Sequence, residues 1–270
     1  MSQTMIQYEG RIAQIVQEDP MLQFLLYAGD NALITGHRCS EWCGHGPILE
    51  QDIAISNIAL DYIGAARNFY QLASTRIQQK DASLEVTEDT LAYLRDAWDF
   101  KNLLLAELPN GDWAQTTLRV YFISSFQWLF YQELIKSTDT DLAAIAEKTL
   151  KEVKYHLRWS REWVIRLGDG TEESANRLRQ ALTFLWPFTG EAFKEASYET
   201  ATSSTTNIQL ANLHESWKQE LQEVFAEAGL EVPTQQAFQT GGKTGKHTEY
   251  LGYILAEMQF LQRAYPGASW

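Results

Sequence analysis

The sequence has few residues that form disulfide bonds or break helices. It contains 2 Cys, 6 Pro and 16 Gly among 270 residues, which argues against a disulfide framework and against a low-complexity chain. On a helix, Cys39 and Cys43 would lie one turn apart, where a disulfide is geometrically awkward. A chain of this length buries enough surface to fold without disulfide bonds.

Positive charge and long apolar runs are also scarce. The 22 Lys and Arg against 35 Asp and Glu give a net charge of −13, which opposes binding to nucleic acids and anionic membranes. The most apolar stretch, 121–131, contains Ser and Gln and is too short to span a bilayer. Residues 1–10 lack the basic head and apolar core of a signal peptide. We therefore expect a cytoplasmic protein without nucleic-acid or membrane partners.

What is present is helical periodicity. Apolar spacing and capping residues predict helices over 20–42, 48–78, 87–107, 112–136, 139–167, 171–187, 208–228 and 248–264. No segment alternates with period two, so no sheet is expected. Residues 53–66 are apolar nearly all round, which is typical of a buried central helix. The polar segment 197–206 and the glycine-rich segment 239–247 are predicted to be surface loops.

The pattern predicts one all-α domain over 1–270. We expect an N-terminal extension at 1–20 with no assigned role, a bundle core at 20–190 and additional helices at 208–270. The four neighbours 48–78, 87–107, 112–136 and 139–167 have the lengths of an antiparallel helix bundle.

Bundles of this kind often hold two iron ions, and the sequence allows that site to be tested. The chemistry needs a Glu from each of two helices and a Glu-x-x-His pair from each of the other two. The chain has only five histidines. The residues three positions before His37, His45, His156, His214 and His247 are Ile34, Trp42, Val153, Ala211 and Thr244. None is a carboxylate, so the standard site cannot be built.

A non-standard metal site is a weaker interpretation. Spacing of four residues also shares a helix face, and it relates Glu41 to His45 and Glu152 to His156. With Asp61, the fallback metal ligands are Glu41, Asp61, Glu152 and His156. The favoured alternative is ordinary surface pairing of the Glu and His, with Asp61 in a structural hydrogen-bond network. Arg38, Arg67 and Arg158 are candidate partners for Asp61.

Two further motifs are disfavoured on geometric grounds. The pattern His37-x-Cys39-x-x-x-Cys43-x-His45 offers four zinc ligands, but on a helix each His points away from the Cys side chains. The segment 241–245 resembles a phosphate loop but lacks the preceding strand and the required spacing.

Several dispersed motifs resemble the C subunit of phenylacetyl-CoA epoxidase, a multicomponent bacterial oxygenase of phenylacetate breakdown. They are Gly-His-Arg at 36–38, Glu-Trp-Cys-Gly-His-Gly-Pro at 41–47, Asn-Ile-Ala-Leu-Asp at 57–61, Leu-Pro-Asn-Gly at 108–111, Lys-Tyr-His-Leu-Arg at 154–158, Thr-Gly-Gly-Lys at 240–243, His-Thr-Glu at 247–249, Ala-Glu-Met-Gln at 256–259 and Trp270. The resemblance extends over nearly the whole chain after residue 22.

The resemblance implies a ferritin-like fold and a division of labour. In that family the A subunit holds the di-iron centre and binds the CoA thioester, whereas the C subunit has lost the iron ligands and stabilises the A subunit in a heteromer. Tyr62, Ala65 and Val153 stand at positions that we align with iron ligands of the catalytic relative.

We accordingly expect no catalytic, cofactor-binding or metal residue in this chain. Its expected partner is the A subunit, in a heterodimer or heterotetramer with further subunits of the complex, and the chain alone is a candidate homodimer. The alternatives are a di-iron or manganese oxidase with its own non-standard site, and a homo-oligomeric binding protein without catalysis.

Overall fold

The computed structural model describes residues 8–234, 238–266 and 268, and these contain helices and no strand. The α-helices are α1 Ala13–Glu18, α2 Pro20–Ser40, α3 Leu49–Lys80, α4 Glu88–Tyr93, α5 Leu104–Glu107, α6 Trp113–Leu134, α7 Thr140–Gly168, α8 Glu172–Leu185, α9 Ser197–Thr206, α10 Leu210–Glu227, α11 Glu249–Met258 and α12 Phe260–Ala264. Short helical turns lie at Tyr8–Ile12, Ala97–Asp99, Trp186–Phe188, Gly190–Phe193 and Gly242–Thr244. The predicted all-α fold is confirmed.

The long helices α2, α3, α6 and α7 form the bundle. Helix α2 packs along α3, α6 packs along α7, and α3 contacts α7. Asp112, Asp139 and Thr171 each accept a hydrogen bond from a backbone N–H in the first turn of the following helix, so these side chains cap the helices predicted to begin near them. The fourth helix of the bundle is α2, which corresponds to the helix predicted over 20–42. The segment 87–107, which was expected in the bundle, is not part of it.

The predicted bundle helix at 87–107 is wrong. That segment holds only the short helices α4 and α5 with a turn between them. The backbone N–H of Lys101 donates to Asp30 Oδ2 at 2.7 Å, and that of Leu103 donates to Asn31 Oδ1 at 3.0 Å. Because side chains of α2 take these donors, the segment follows the surface of α2 instead of forming a continuous helix.

The prediction of a loop at 197–206 is also wrong, since this segment is helix α9. The Glu199 carboxylate accepts a hydrogen bond from the backbone N–H of Ala196 at 2.8 Å and thereby caps the helix. Tyr198, Glu199, Thr202 and Thr206 are buried on one face. Burial of that face against α2 stabilises a helix that its Ser and Thr content disfavours.

The glycine-rich segment 239–247 is not a surface loop throughout. Gly242 and Lys243 are buried, and a Cβ atom on Gly242 would lie 2.2 Å from the carbonyl oxygen of Asn102. Only glycine permits this approach of two backbones. The last predicted helix divides at Gln259, whose side-chain amide donates to the carbonyl oxygens of Ala92 and Arg95.

The expectation that 53–66 is buried on all sides is wrong for one face of α3. Leu49, Ile53 and Leu60 are 72%, 53% and 69% exposed. Helix α3 packs against α2 and α7, and these neighbours leave its remaining face open. The chain therefore presents large apolar side chains to the outside on its longest helix.

The segments outside the bundle pack onto it. Ile12, Ile15 and Val16 near the N-terminus are buried and join the same hydrophobic cluster as the bundle residues. In α10, Trp217 is buried and its Nε1 donates to Ser125 Oγ of α6 at 2.8 Å. Residues 1–7 of the predicted extension and Trp270 lie outside the described residues. Among the residues that the structure describes, each helix is too short or too polar to be a membrane-spanning segment.

Candidate functional site

The four bundle helices meet around Tyr62. A Cβ atom on Gly36 of α2 would lie 3.1 Å from Tyr62 Cβ, so α2 and α3 approach closely at this level. The Tyr62 hydroxyl donates to Gln127 Oε1 of α6 at 3.1 Å, and its ring lies 4.8 Å from the His156 ring of α7. The middle of the bundle is therefore filled by a buried phenol.

A guanidinium group is buried at one end of this interior. Arg119 is 1% exposed and donates to the Leu108 carbonyl oxygen and the Asn110 side-chain oxygen. Burial lowers the pKa of Arg119 to about 10 and raises the pKa of the neighbouring Cys39 thiol to about 12. At neutral pH this part of the bundle interior therefore holds a cation and a protonated thiol.

Asp61 and His156 form the one contact among the fallback metal ligands. His156 Nε2 lies 3.0 Å from Asp61 Oδ2, and the side chains are 1% and 35% exposed. Glu152 lies one turn before His156, and burial followed by repulsion from Asp61 raises the pKa of Glu152. This contact joins helices α3 and α7, and the choice between a structural hydrogen bond and a metal-ligand role for Asp61 stays a prediction. The arginine partners proposed for it are wrong, because Arg38, Arg67 and Arg158 contact Glu107, Glu88 and Tyr155 instead.

Glu41 belongs to a different part of the molecule. Arg38 Nη1 donates to Glu41 Oε1 at 2.6 Å, and Asn110 Nδ2 donates to Glu41 Oε2 at 2.8 Å. Helix α2 ends at Ser40, so Glu41 and His45 lie in a turn and do not share a helix face. The structure therefore does not bring Glu41 to the pair formed by Asp61 and His156.

The residues of the zinc pattern do not converge. Cys39 is buried whereas Cys43 is exposed, and both are free thiols. His45 Nδ1 lies 3.1 Å from the Cys43 carbonyl oxygen. Across the part of the chain that the structure describes, no group of three or more His, Cys, Asp or Glu could hold a metal ion. One imidazole beside two carboxylates does not fit a di-iron centre, which draws a carboxylate from all four helices and a histidine from two.

A buried carboxylate–imidazole contact joins distant segments, and no pattern in the sequence indicated it. Glu107 Oε2 lies 2.8 Å from His247 Nδ1, and Glu107 Oε1 accepts from the Thr248 backbone N–H at 2.6 Å. Burial opposes a charge on His247, but the hydrogen bond and charge of Glu107 outweigh it and raise the pKa of His247. These contacts attach the C-terminal segment to the end of α5.

Two buried ion pairs were also missed. Lys243 Nζ lies 2.9 Å from Glu199 Oε2, and both side chains are almost fully buried. Asp30 pairs with Arg95, and the Tyr70 hydroxyl donates to Asp30 Oδ1 at 2.6 Å. Lys243 belongs to the Thr-Gly-Gly-Lys motif at 240–243, and this motif was the one sequence feature that drew attention to it. Asp30 and Arg95 carried no local pattern, because their partners come from distant positions.

Comparison with known proteins identifies the family of this bundle. The family described as phenylacetic acid catabolic protein matches residues 7–270. The C subunit of the 1,2-phenylacetyl-CoA epoxidase of Escherichia coli (strain K12) is 46% identical over 248 residues, which cover 92% of this chain and 98% of that protein. The family match includes part of the N-terminal segment to which the sequence assigned no role. The chain therefore belongs to the phenylacetic acid catabolic protein family, within which it is similar to the C-type chain of an epoxidase and has the expected all-α, ferritin-like fold.

Proposed function

We propose that this chain is the structural, metal-free subunit of a phenylacetyl-CoA epoxidase, and that it binds and stabilises the catalytic A subunit, which holds the di-iron centre. The identity to the C subunit of such an epoxidase over nearly the full length supports the assignment to that complex. One observation supports the metal-free role: the buried side chain of Tyr62 fills the centre of the bundle.

The chemistry of the interior supports a structural role. Oxygen-activating iron needs several converging carboxylates and imidazoles. Here the Tyr62 hydroxyl donates to Gln127, and the neighbouring His156 ring is hydrogen-bonded to Asp61. The buried guanidinium of Arg119 would in addition repel metal cations placed near it. The contacts among these side chains stabilise the helix bundle, as a structural subunit requires.

Exposed apolar side chains support a role in assembly. Besides the open face of α3, Trp98, Tyr253 and Phe260 are 70%, 65% and 59% exposed. Trp98 and Phe260 line a common groove between the turn Ala97–Asp99 and helices α11 and α12. Large aromatic residues at the surface are typical of protein interfaces.

An oxidase with its own non-standard metal site is the second candidate. The contact between Asp61 and His156, with Glu152 one turn away, favours it. The hydrogen bonds of Glu41 to Arg38 and Asn110 argue against its taking part in such a site. Any metal bound there would depend on Asp61 and His156 together.

Co-purification and metal analysis test the proposal. The tagged chain is expressed with and without the A subunit, and the complex and its iron and manganese content are measured. We expect the A subunit to co-elute in equal amounts, with iron in the complex and only traces in this chain alone. A chain that stays separate from the A subunit at micromolar concentration would contradict the structural role.

Near-stoichiometric metal in the isolated chain would instead favour the oxidase. In that case D61N should release the metal, because it removes the carboxylate that contacts His156. The matched control is E147Q, which neutralises an exposed carboxylate on the same helix as His156, α7. Equal metal content in both variants would show that the ion is bound elsewhere.

A further inference from the structure

A cavity of about 440 Å³ lies outside the helix bundle, between α10, the turns within Trp186–Phe193 and the segment 232–234. Its lining residues do not include Tyr62, Asp61 or His156 of the bundle interior. Sites that bind small molecules in proteins have volumes of about 300 to 1,000 Å³. The cavity is therefore large enough for a molecule of one or two rings.

The inner wall of the cavity is aromatic and is held by contacts within the chain. Trp186 and Trp217 are 6% and 3% exposed, and their rings stack with centroids 6.2 Å apart. Trp217 Nε1 is fixed to α6 by its hydrogen bond to Ser125. The Phe238 ring lies 6.3 Å from that of Trp186, and a Cβ atom on Gly190 would lie 2.3 Å from Phe238 Cγ. Because these rings are packed in place, the wall is formed without a ligand.

The outer part of the cavity is polar and carries one positive charge. The exposed side chains of Lys218, Gln222 and Thr234 line it. Lys218 Nζ donates to Glu215 Oε1 at 3.0 Å, and an ammonium group has three N–H donors, so two remain for another acceptor. Burial and the nearby Lys218 lower the pKa of His214, so its imidazole is uncharged at neutral pH. Lys218 is therefore the charged group among the described lining residues.

The two parts together match a flat acid. Indole rings offer a large apolar surface to another aromatic ring, and an ammonium group forms its strongest hydrogen bonds with a carboxylate. We propose that this cavity binds an aromatic carboxylate of one or two rings, with the ring against Trp186 and Trp217 and the carboxylate at Lys218. A ligand of this size with a partly exposed charge should have a dissociation constant of about 0.1 to 1 mM.

Fluorine NMR on the full chain labelled with fluorotryptophan tests the proposal. The chain has 9 Trp, and replacement of each by Phe in turn assigns the resonances. The probe is 2-naphthoate, titrated to about 10 mM, which would saturate a site of the expected affinity. We expect saturable shifts of the Trp186 and Trp217 resonances, while that of the exposed Trp98 stays unchanged.

A neutral analogue and a charge variant test the role of Lys218. 2-Naphthamide has the same rings without the charge, so it should bind about fivefold more weakly or worse. K218Q should weaken binding of 2-naphthoate about fivefold and leave binding of 2-naphthamide unchanged. The matched control is K151Q, which removes the lysine of an exposed pair with Glu147 on α7 and should change neither affinity. Circular dichroism should show that both variants are folded.

Three results would overturn the proposal. The first is the absence of a saturable shift at Trp186 and Trp217, and the second is equal affinity for the acid and the amide. The third is an affinity of K218Q for 2-naphthoate equal to that of the unaltered chain. These measurements use this chain alone, so they stand or fall independently of its association with the A subunit.

Discussion

Replacing Lys243 by methionine should be one of the most destabilising single changes in the chain. Lys243 Nζ lies 2.9 and 3.0 Å from the two carboxylate oxygens of Glu199, and it donates to the carbonyl oxygens of Ala192 and Lys194 at 3.1 and 3.0 Å. K243M fills similar space but leaves the buried carboxylate with the backbone N–H of Ala196 as its remaining partner.

The magnitude follows from the burial of both charges. Removing one member of a buried ion pair costs about 3–5 kcal/mol, because the other charge is left unpaired. Burial lowers the pKa of Lys243 and raises the pKa of Glu199, so desolvation disfavours both charges. The double variant K243M/E199Q leaves no charge, and we expect its unfolding free energy within about 2 kcal/mol of the unaltered chain.

Urea unfolding followed by circular dichroism measures these differences. The control is K151M, which removes the lysine of the exposed pair with Glu147 and should cause no measurable change. A loss below about 1 kcal/mol for K243M would contradict the presence of a buried charge on Glu199 that depends on Lys243. So would a double variant as unstable as the sum of K243M and E199Q, because the two charges would then be uncoupled.

Two further predictions concern titration and thiol reactivity. The hydrogen bond and charge of Glu107 outweigh burial and raise the pKa of His247 in the folded chain. The stabilisation by the protonated His247 is therefore fully present below about pH 6.5, the pKa of an unperturbed histidine, and is lost as pH rises through the folded-state pKa. H247Q should therefore lose more unfolding free energy at about pH 6 than at about pH 9, and an equal loss at both would contradict this. A disulfide reagent at about pH 8 should titrate only Cys43 in the folded chain, because burial raises the pKa of Cys39 to about 12. Equal reaction rates for both thiols would show that Cys39 is accessible.

The helices that are stabilised by local interactions could be predicted from the sequence. Apolar periodicity and capping residues such as Asp112 and Thr171 act within one or two turns, so they can be read without knowledge of the fold. The histidine census also needed no structure, since the spacing of iron ligands on a helix is a property of the sequence. The resemblance at motifs such as 240–243 led to the family that the comparisons show.

The partners of the buried polar groups depend on the three-dimensional packing of the chain. The segment 87–107 has the composition of a helix, yet Asp30 and Asn31 of α2 capture its backbone donors. Asp61 was assigned arginine partners, but it meets His156 of α7. The apolar character of α3 indicated burial, whereas packing by α2 and α7 leaves one face open. These contacts join residues far apart in the chain, and a buried polar group is satisfied by whatever the fold brings near it, so no local pattern can specify them.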